Sequence, residues 1–263
     1  MAYLYETHLH TCQSSACARS TGAEHARYYK SLGFAGIIVT DHFFRGNSRI
    51  PREGTWEERV NIFCAGYEDA RAEGERIGLD VLFGWEEYFE DDEYLVYGLD
   101  KAWLLQHPEV EHWTRREQLE QVHRYGGCVV QAHPFRERSY IRHVCLGHLY
   151  CDAVEAANAG NDPHADAAAY RYARHYGLPM TAGSDNHLST PGMDAGSRIM
   201  GLALDKPLNS IHDLVRMIRN REPLPLHVPH GRWDVTPDSP LIDAFFLDEN
   251  EKLVPTGRDW LRD

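Results

Sequence analysis

Thr7-His8-Leu9-His10-Thr11, following the run Tyr3-Leu4-Tyr5-Glu6, decides how the rest of the chain is read. Aromatic and polar residues alternate through this run, which is the pattern of a short strand. Side chains on a strand alternate between faces, so His8 and His10 point to the same side and both imidazoles can reach one ion. A lone His-x-His is weak evidence for a metal, and its weight depends on whether other strand ends supply matching ligands.

Working outward, Thr21 and Glu24 fit a capping box for a helix from Gly22 to Leu32, with Gly33 as its stop. Gly36-Ile37-Ile38-Val39-Thr40 reads as a buried parallel strand ending at Asp41-His42. A long helical region spans roughly Trp56 to Ile77, and the strand Asp80 to Phe83 ends in Gly84-Trp85-Glu86-Glu87. Tyr94 to Tyr97 is a further strand. A helix from Arg116 to Tyr125 precedes the strand Cys128 to Ala132, which delivers His133-Pro134. Asp152 to Glu155 is a short strand, Pro163 opens a helix to about Tyr176, and Leu178 to Ala182 runs into Gly183-Ser184-Asp185-Asn186-His187. A last strand is expected over Arg198 to Leu204 and a last helix over Ser210 to Arg219. The segment after Pro223 has no assignable pattern. No repeat or linker interrupts the chain, so one domain over residues 1–263 is expected.

Alternating strands and helices imply parallel strands joined by crossovers. In a closed parallel barrel all C-terminal strand ends open on one face, where active sites lie. His8, His10, Asp41, His42, Glu86, His133, Asp185 and His187 all fall at or just beyond such ends. Each alone has an ordinary explanation as a cap, turn former or solvated loop residue. Together they place imidazole and carboxylate at the same end of five strands, and like-charged carboxylates do not converge without cations to offset them.

Composition sets the outer limits. The 263 residues are enough for one α/β barrel, and 43% hydrophobic with 25% charged residues is ordinary for a globular protein. No apolar run approaches the roughly 18 residues needed to span a bilayer, and no basic-then-apolar leader is visible, so a cytoplasmic location without membrane contact is expected. Six cysteines without Cys-x-x-Cys pairs suggest reduced thiols. A net charge of −13 disfavours gripping long nucleic acid, though it leaves room for a small acidic substrate held by arginines or metals. Most of the 16 histidines, among them His25, His107, His112, His123, His148, His164, His175 and His212, sit in polar or helical stretches and read as surface or capping residues. The sequence says nothing about oligomeric state.

The ordered set His8-Leu9-His10-Thr11, Thr40-Asp41-His42, Gly84-Trp85-Glu86 with His133-Pro134, and Asp185-Asn186-His187 resembles the polymerase and histidinol phosphatase (PHP) superfamily over residues 3–205. That resemblance implies an α/β fold, a distorted (β/α)7 TIM-like barrel, and a phosphoesterase dependent on two or three divalent ions (manganese, iron or zinc). It implies that His8, His10, Glu86 and Asp185 hold one metal, that Glu86 bridges to a second held also by His133, and that His42 and His187 contribute to a third. Two departures stand out. Glu93 falls where the family usually has a histidine, a change that favours manganese or iron over zinc. Ala16, which cannot coordinate, falls where the family's third site often draws a loop ligand, with the Cys17 thiol beside it.

Two cations roughly 3.5–4 Å apart lower the pKa of a water and stabilise the entering and leaving oxygens of a displacement at phosphorus. A phosphate also needs arginine forks; Arg136, two residues after Pro134, is the leading candidate, Arg19 and Arg45 come next, and Arg138 and Arg142 stand behind them. His42, His187 and Asp185 are the candidate catalytic residues, either imidazole serving as proton donor to the leaving group if its metal site is empty. The expected function is hydrolysis of a small phosphate ester. The alternatives are a nuclease acting on short oligonucleotides and a metal-stabilised module without turnover. An amidohydrolase-type barrel ranks lower because no metal-bridging lysine stands at a strand end.

Overall fold

The computed structural model describes residues 2–189, 198–236 and 243–256. Its strands in chain order are β1 (Tyr3–Leu9), β2 (Gly36–Val39), β3 (Asp80–Phe89), β4 (Asp92–Tyr97), β5 (Cys128–Ala132), β6 (Val144–Leu146), β7 (Ala153–Asn158), β8 (Met180–Gly183), β9 (Gly201–Leu204), β10 (Leu226–His227), β11 (Ala244–Leu247) and β12 (Leu253–Pro255). The main helices are α1 (Gly22–Ser31), α2 (Trp56–Phe63), α3 (Ala65–Ile77), α4 (Lys101–Gln106), α5 (Arg115–Arg124), α6 (Pro163–Tyr176) and α7 (Ile211–Arg219). Among the described residues no helix is long and apolar enough to cross a membrane.

The main sheet runs β10-β9-β1-β2-β3-β4-β5-β7-β8, with β9 antiparallel to β1. It nearly closes on itself, because Leu9 of β1 meets Asn186 just beyond β8 in a parallel bridge and the His10 amide donates to the Asn186 carbonyl at 2.9 Å. This is the expected α/β barrel-like architecture. It departs from an all-parallel barrel at β4, which pairs antiparallel with both β3 and β5. Glycine at position 84 reads locally as a stop, yet β3 continues to Phe89 and turns back through Glu90, in the left-handed region at φ 55°, into β4. Backbone pairing with β4 over Gly84↔Tyr97 to Phe89↔Asp92 outweighs that signal.

Short polar caps start the helices where expected. Thr21 with Glu24, Thr55 with Glu58 and Thr114 with Glu117 all form complete capping boxes. The helical region expected over Trp56 to Ile77 is broken at Cys64, so that α3 sits flat on α1. Gly22 makes that approach possible, since a Cβ there would lie 2.1 Å from the Gly66 carbonyl, and Gly66 in turn lets α3 reach the loop after β1, where a Cβ would lie 1.8 Å from Thr11 Oγ1. Gly66→Ala is therefore expected to cost about 1–3 kcal/mol through overpacking, read as a lower urea midpoint at unchanged m value. An unchanged midpoint would mean that α3 and the loop after β1 are not held this tightly.

The segment after Pro223 contributes β10, antiparallel to β9, and a small sheet in which β11 lies between β12 and β6. Its remaining stretches, 237–242 and 257–263, lie outside the described residues, as do Met1 and residues 190–197.

Candidate metal centre

The two histidines of β1 lie side by side, with His8 Nε2 3.1 Å from His10 Nε2. Around them the barrel delivers side chains from several other segments. Glu86 comes from the middle of β3 and places Oε1 3.1 Å from His8 Nε2 and 3.0 Å from His133 Nε2. Its Oε2 lies 2.7 Å from His42 Nδ1 and 3.6 Å from His10 Nε2. Asp185, past β8, lies 3.1 Å from His10 Nε2 and 3.6 Å from His8 Nε2. Glu93 of β4 stands 3.5 Å from His133 Nε2 and 3.9 Å from His42 Nδ1. His187 stacks on the His10 ring with centroids 4.4 Å apart. All eight residues named from sequence as metal ligands are thus brought to one place. They form overlapping triads, among them His8–His10–Asp185, His8–Glu86–His133 and His42–Glu86–Glu93. His133 and Asp185 hold their positions with φ of 28° and 52°, backbone angles that non-glycine residues adopt infrequently.

The chemistry of this donor set suits a cation. His8 Nδ1 is 2.9 Å from the fully buried Glu155 carboxylate and donates to it, which turns Nε2 toward Glu86, Asp185 and His10. His42 Nδ1 and Glu86 Oε2 are buried and close, yet neither has an aligned hydrogen bond. The electrostatics agree. Burial alone would raise the Glu86 and Asp185 carboxyls, but the charges of His8 and His42 on one, and of Arg136 and His8 on the other, hold both well below the usual range. Burial alone would lower His8, but Glu155, Asp185 and Glu86 push it well above its ordinary value. Converging carboxylates of this kind draw in positive charge, and divalent ions fit the mixed imidazole and carboxylate set.

Several residues that sequence reasoning missed support the ligands. Glu155, inside β7, accepts from the His133 amide at 3.0 Å and from Asn158 Nδ2 at 2.8 Å besides orienting His8. Its only signal was a carboxylate within a short buried strand. Such carboxylate–histidine pairs set ligand basicity, and Glu155→Gln is expected to weaken metal affinity about 10–100-fold while the fold persists. Isothermal titration with manganese measures this; unaltered affinity would remove Glu155 from the site. His25, read from sequence as a surface or capping residue, is instead fully buried and contacts the His10 carbonyl through Nε2 at 2.9 Å. Asp41 does not point into the cluster. It accepts from the Thr11 amide at 2.6 Å, the Thr11 hydroxyl at 2.7 Å and Ser15 Oγ at 2.7 Å, which pins the loop after β1.

The arginines separate clearly. Arg136 reaches the site, 2.6 Å from Asp185 Oδ2, and is steadied by Asn161 on Nε and Asn158 on Nη2. Arg45 donates to Glu87 at 3.0 Å and to the Trp113 carbonyl at 2.9 Å, and it lines the same opening. Arg19 is exposed and does not line that opening; only its backbone amide bonds the His187 carbonyl, because the loop carrying it runs over the rim with the side chain outward. Arg138 and Arg142 bind the Gly160 carbonyl and the Glu90–Asp91 turn. The opening is a cavity of about 440 Å³ bounded by His42, His187, Glu93, Arg136, Tyr88 and Tyr140. That is the size of a small-molecule site. At its rim burial pushes the Cys17 thiol up, but hydrogen bonds with His187 and His42 bring it down to about 6. All six cysteines are free thiols.

Comparison with known proteins gives the following. A family model described as PHP-associated matches residues 163–190. No curated protein matches the chain. Among solved structures, a proposed metal-dependent phosphoesterase from Bifidobacterium adolescentis is similar with a TM-score of 0.51 at 17% identity, over 82% of this chain and 96% of that one. A two-domain protein from Bacteroides vulgatus, containing a proposed PHP-like metal-dependent phosphoesterase, gives a TM-score of 0.57 at 11% identity over 87% of this chain and 65% of that one. An amidohydrolase from Chromobacterium violaceum with bound sulfate and no metal gives 0.51 at 15% identity, over 81% and 96% of the two chains.

Proposed function

We propose, from the chain's assignment to the PHP superfamily by fold and partial family-model match, that it is a metal-dependent hydrolase acting on a small phosphate ester. The observation that carries this reading is Glu86, a single buried carboxylate within 3.6 Å of ring nitrogens from His8, His10, His42 and His133. His8, His10, Asp185 and Glu86 would hold one divalent ion; Glu86, His133 and Glu93 would hold a second. When bound, two such ions supply positive charge to phosphoryl oxygens and acidify a water molecule.

The chain's own residues do the rest. Glu155 keeps the His8 ring oriented through Nδ1, and Ser15 sits 3.2 Å from His10 Nδ1. Arg136 spends Nε and Nη2 on Asn161, Asn158 and Asp185, which fixes the guanidinium at the cavity wall as a positive charge with Nη1 outside these bonds. Arg45, stacked 4.2 Å from the Phe89 ring centroid, adds a second positive charge to the same wall. Tyr88 and Tyr140 flank the opening and offer aromatic surface to the organic part of an ester. Amide hydrolysis by the same cluster is less favoured, because two arginines at one wall suit a dianionic phosphate better than a neutral amide.

Release of inorganic phosphate from a panel of small phosphomonoesters and phosphodiesters tests the proposal, with chelated protein measured before and after manganese is restored. Manganese-dependent release from at least one ester is expected. No release from any ester, beside cleavage of amide or lactone substrates, would overturn it.

A further inference from the structure

The two-ion set leaves His187 and the loop after β1 unexplained. His187 places Nδ1 2.8 Å from the Asp185 carbonyl, which puts the proton on Nδ1 and leaves the Nε2 lone pair facing outward. That lone pair meets Cys17 Sγ at 3.0 Å, and His42 lines the cavity beside them. His10, His42 and His187 themselves form a group able to hold an ion. Of the six cysteines only Cys17 is exposed, and it lines the same cavity. Its loop is tied down on two sides: the Ala16 amide donates to the Asn47 carbonyl at 2.8 Å, and the Arg19 amide donates to the His187 carbonyl at 2.8 Å. A thiol pinned against two imidazoles, beside a neighbour at Ala16 that cannot coordinate, is a ligand set and not a stray cysteine.

We propose that Cys17 is a thiolate ligand of a third metal ion at the mouth of the cavity, shared with His187 Nε2 and His42. This rests on the metal-dependent reading above and adds to it a ligand that two-ion catalysis does not require. Bond lengths of about 2.3 Å to sulfur and 2.0 Å to nitrogen place the two donors roughly 3.5 Å apart around a tetrahedral ion. The present 3.0 Å separation reaches that with a small side-chain movement, which an exposed cysteine allows. Sulfur makes this position selective: zinc or cobalt is accepted here, while manganese and magnesium are left to the carboxylate-rich positions around Glu86 and Glu93. Binding releases the thiol proton to solvent, and no other bond is made or broken.

The test uses full-length protein stripped by chelation and titrated with cobalt(II) alone. A sulfur-to-cobalt charge-transfer absorption in the near ultraviolet is expected with the third equivalent. Cys17→Ser is expected to lose that absorption and to bind one equivalent fewer, whereas Cys12→Ser keeps both. Two equivalents bound without the absorption, or an absorption that survives Cys17→Ser, would overturn the proposal and leave the hydrolase reading standing. Failure to bind cobalt at all would overturn both.

Discussion

Glu86→Gln is expected to lower kcat on a phosphate ester by about a thousandfold and to reduce the bound metal measured by elemental analysis. Glutamine keeps the shape of a residue that is 1% exposed, so packing against the neighbouring strands is preserved. What disappears is the negative charge that faces four imidazoles from within β3. A metal's contribution to transition-state charge stabilisation is several kcal/mol, and about 4 kcal/mol corresponds to about three powers of ten in rate. Circular dichroism of the variant should match the parent, which separates loss of the site from loss of the fold. Parent-like turnover in the folded variant would remove Glu86 from the chemistry.

Chelation is expected to lower the melting temperature by about 10 °C, and added manganese or zinc to restore it. An ion present at a thousand times its dissociation constant stabilises the fold by about 4 kcal/mol, and each kcal/mol moves the midpoint of a chain this size by about 2–4 °C. The physical origin is the crowding of Glu86, Glu93 and Asp185 around buried imidazoles, whose negative charge a bound cation offsets directly. Glu86→Gln should abolish most of this chelation effect, since the ions it reports on are gone. A melting temperature indifferent to chelator would mean that the cluster is balanced by protons alone.

What could be read from the residues, and what could not, follows the range over which each signal acts. Period-2 alternation is local, so His8 and His10 on one face were legible. Helix caps are local too, and Thr21 with Glu24 gave the start of α1. Register is not local. The run after Gly84 carries no mark that it will pair with Tyr94 to Tyr97, so β3 looked six residues shorter than the strand that ends at Phe89, and Glu86 looked like a loop residue. Burial of polar groups is decided by distant partners as well. His25 sits on a helix that reads as solvated, and only the packing of α1 under the loop after β1 turns it inward to the His10 carbonyl. Glu155 was invisible for the same reason, since its partners His8 and His133 are 147 and 22 residues away in sequence. The arginines show the converse: proximity to a strand end in sequence ranks Arg136 first and keeps Arg19 close behind, and only the loop path separates the exposed side chain from the one held by Asn158, Asn161 and Asp185.

Anomalous diffraction from a crystal of the full chain grown with manganese interrogates the site directly. Two peaks are expected on either side of the Glu86 carboxylate, one beside His8, His10 and Asp185 and the other beside His133 and Glu93. A map at full data quality with no peak near Glu86, and the same ring nitrogens and carboxylates still in contact, would contradict the metal centre and the hydrolase built on it.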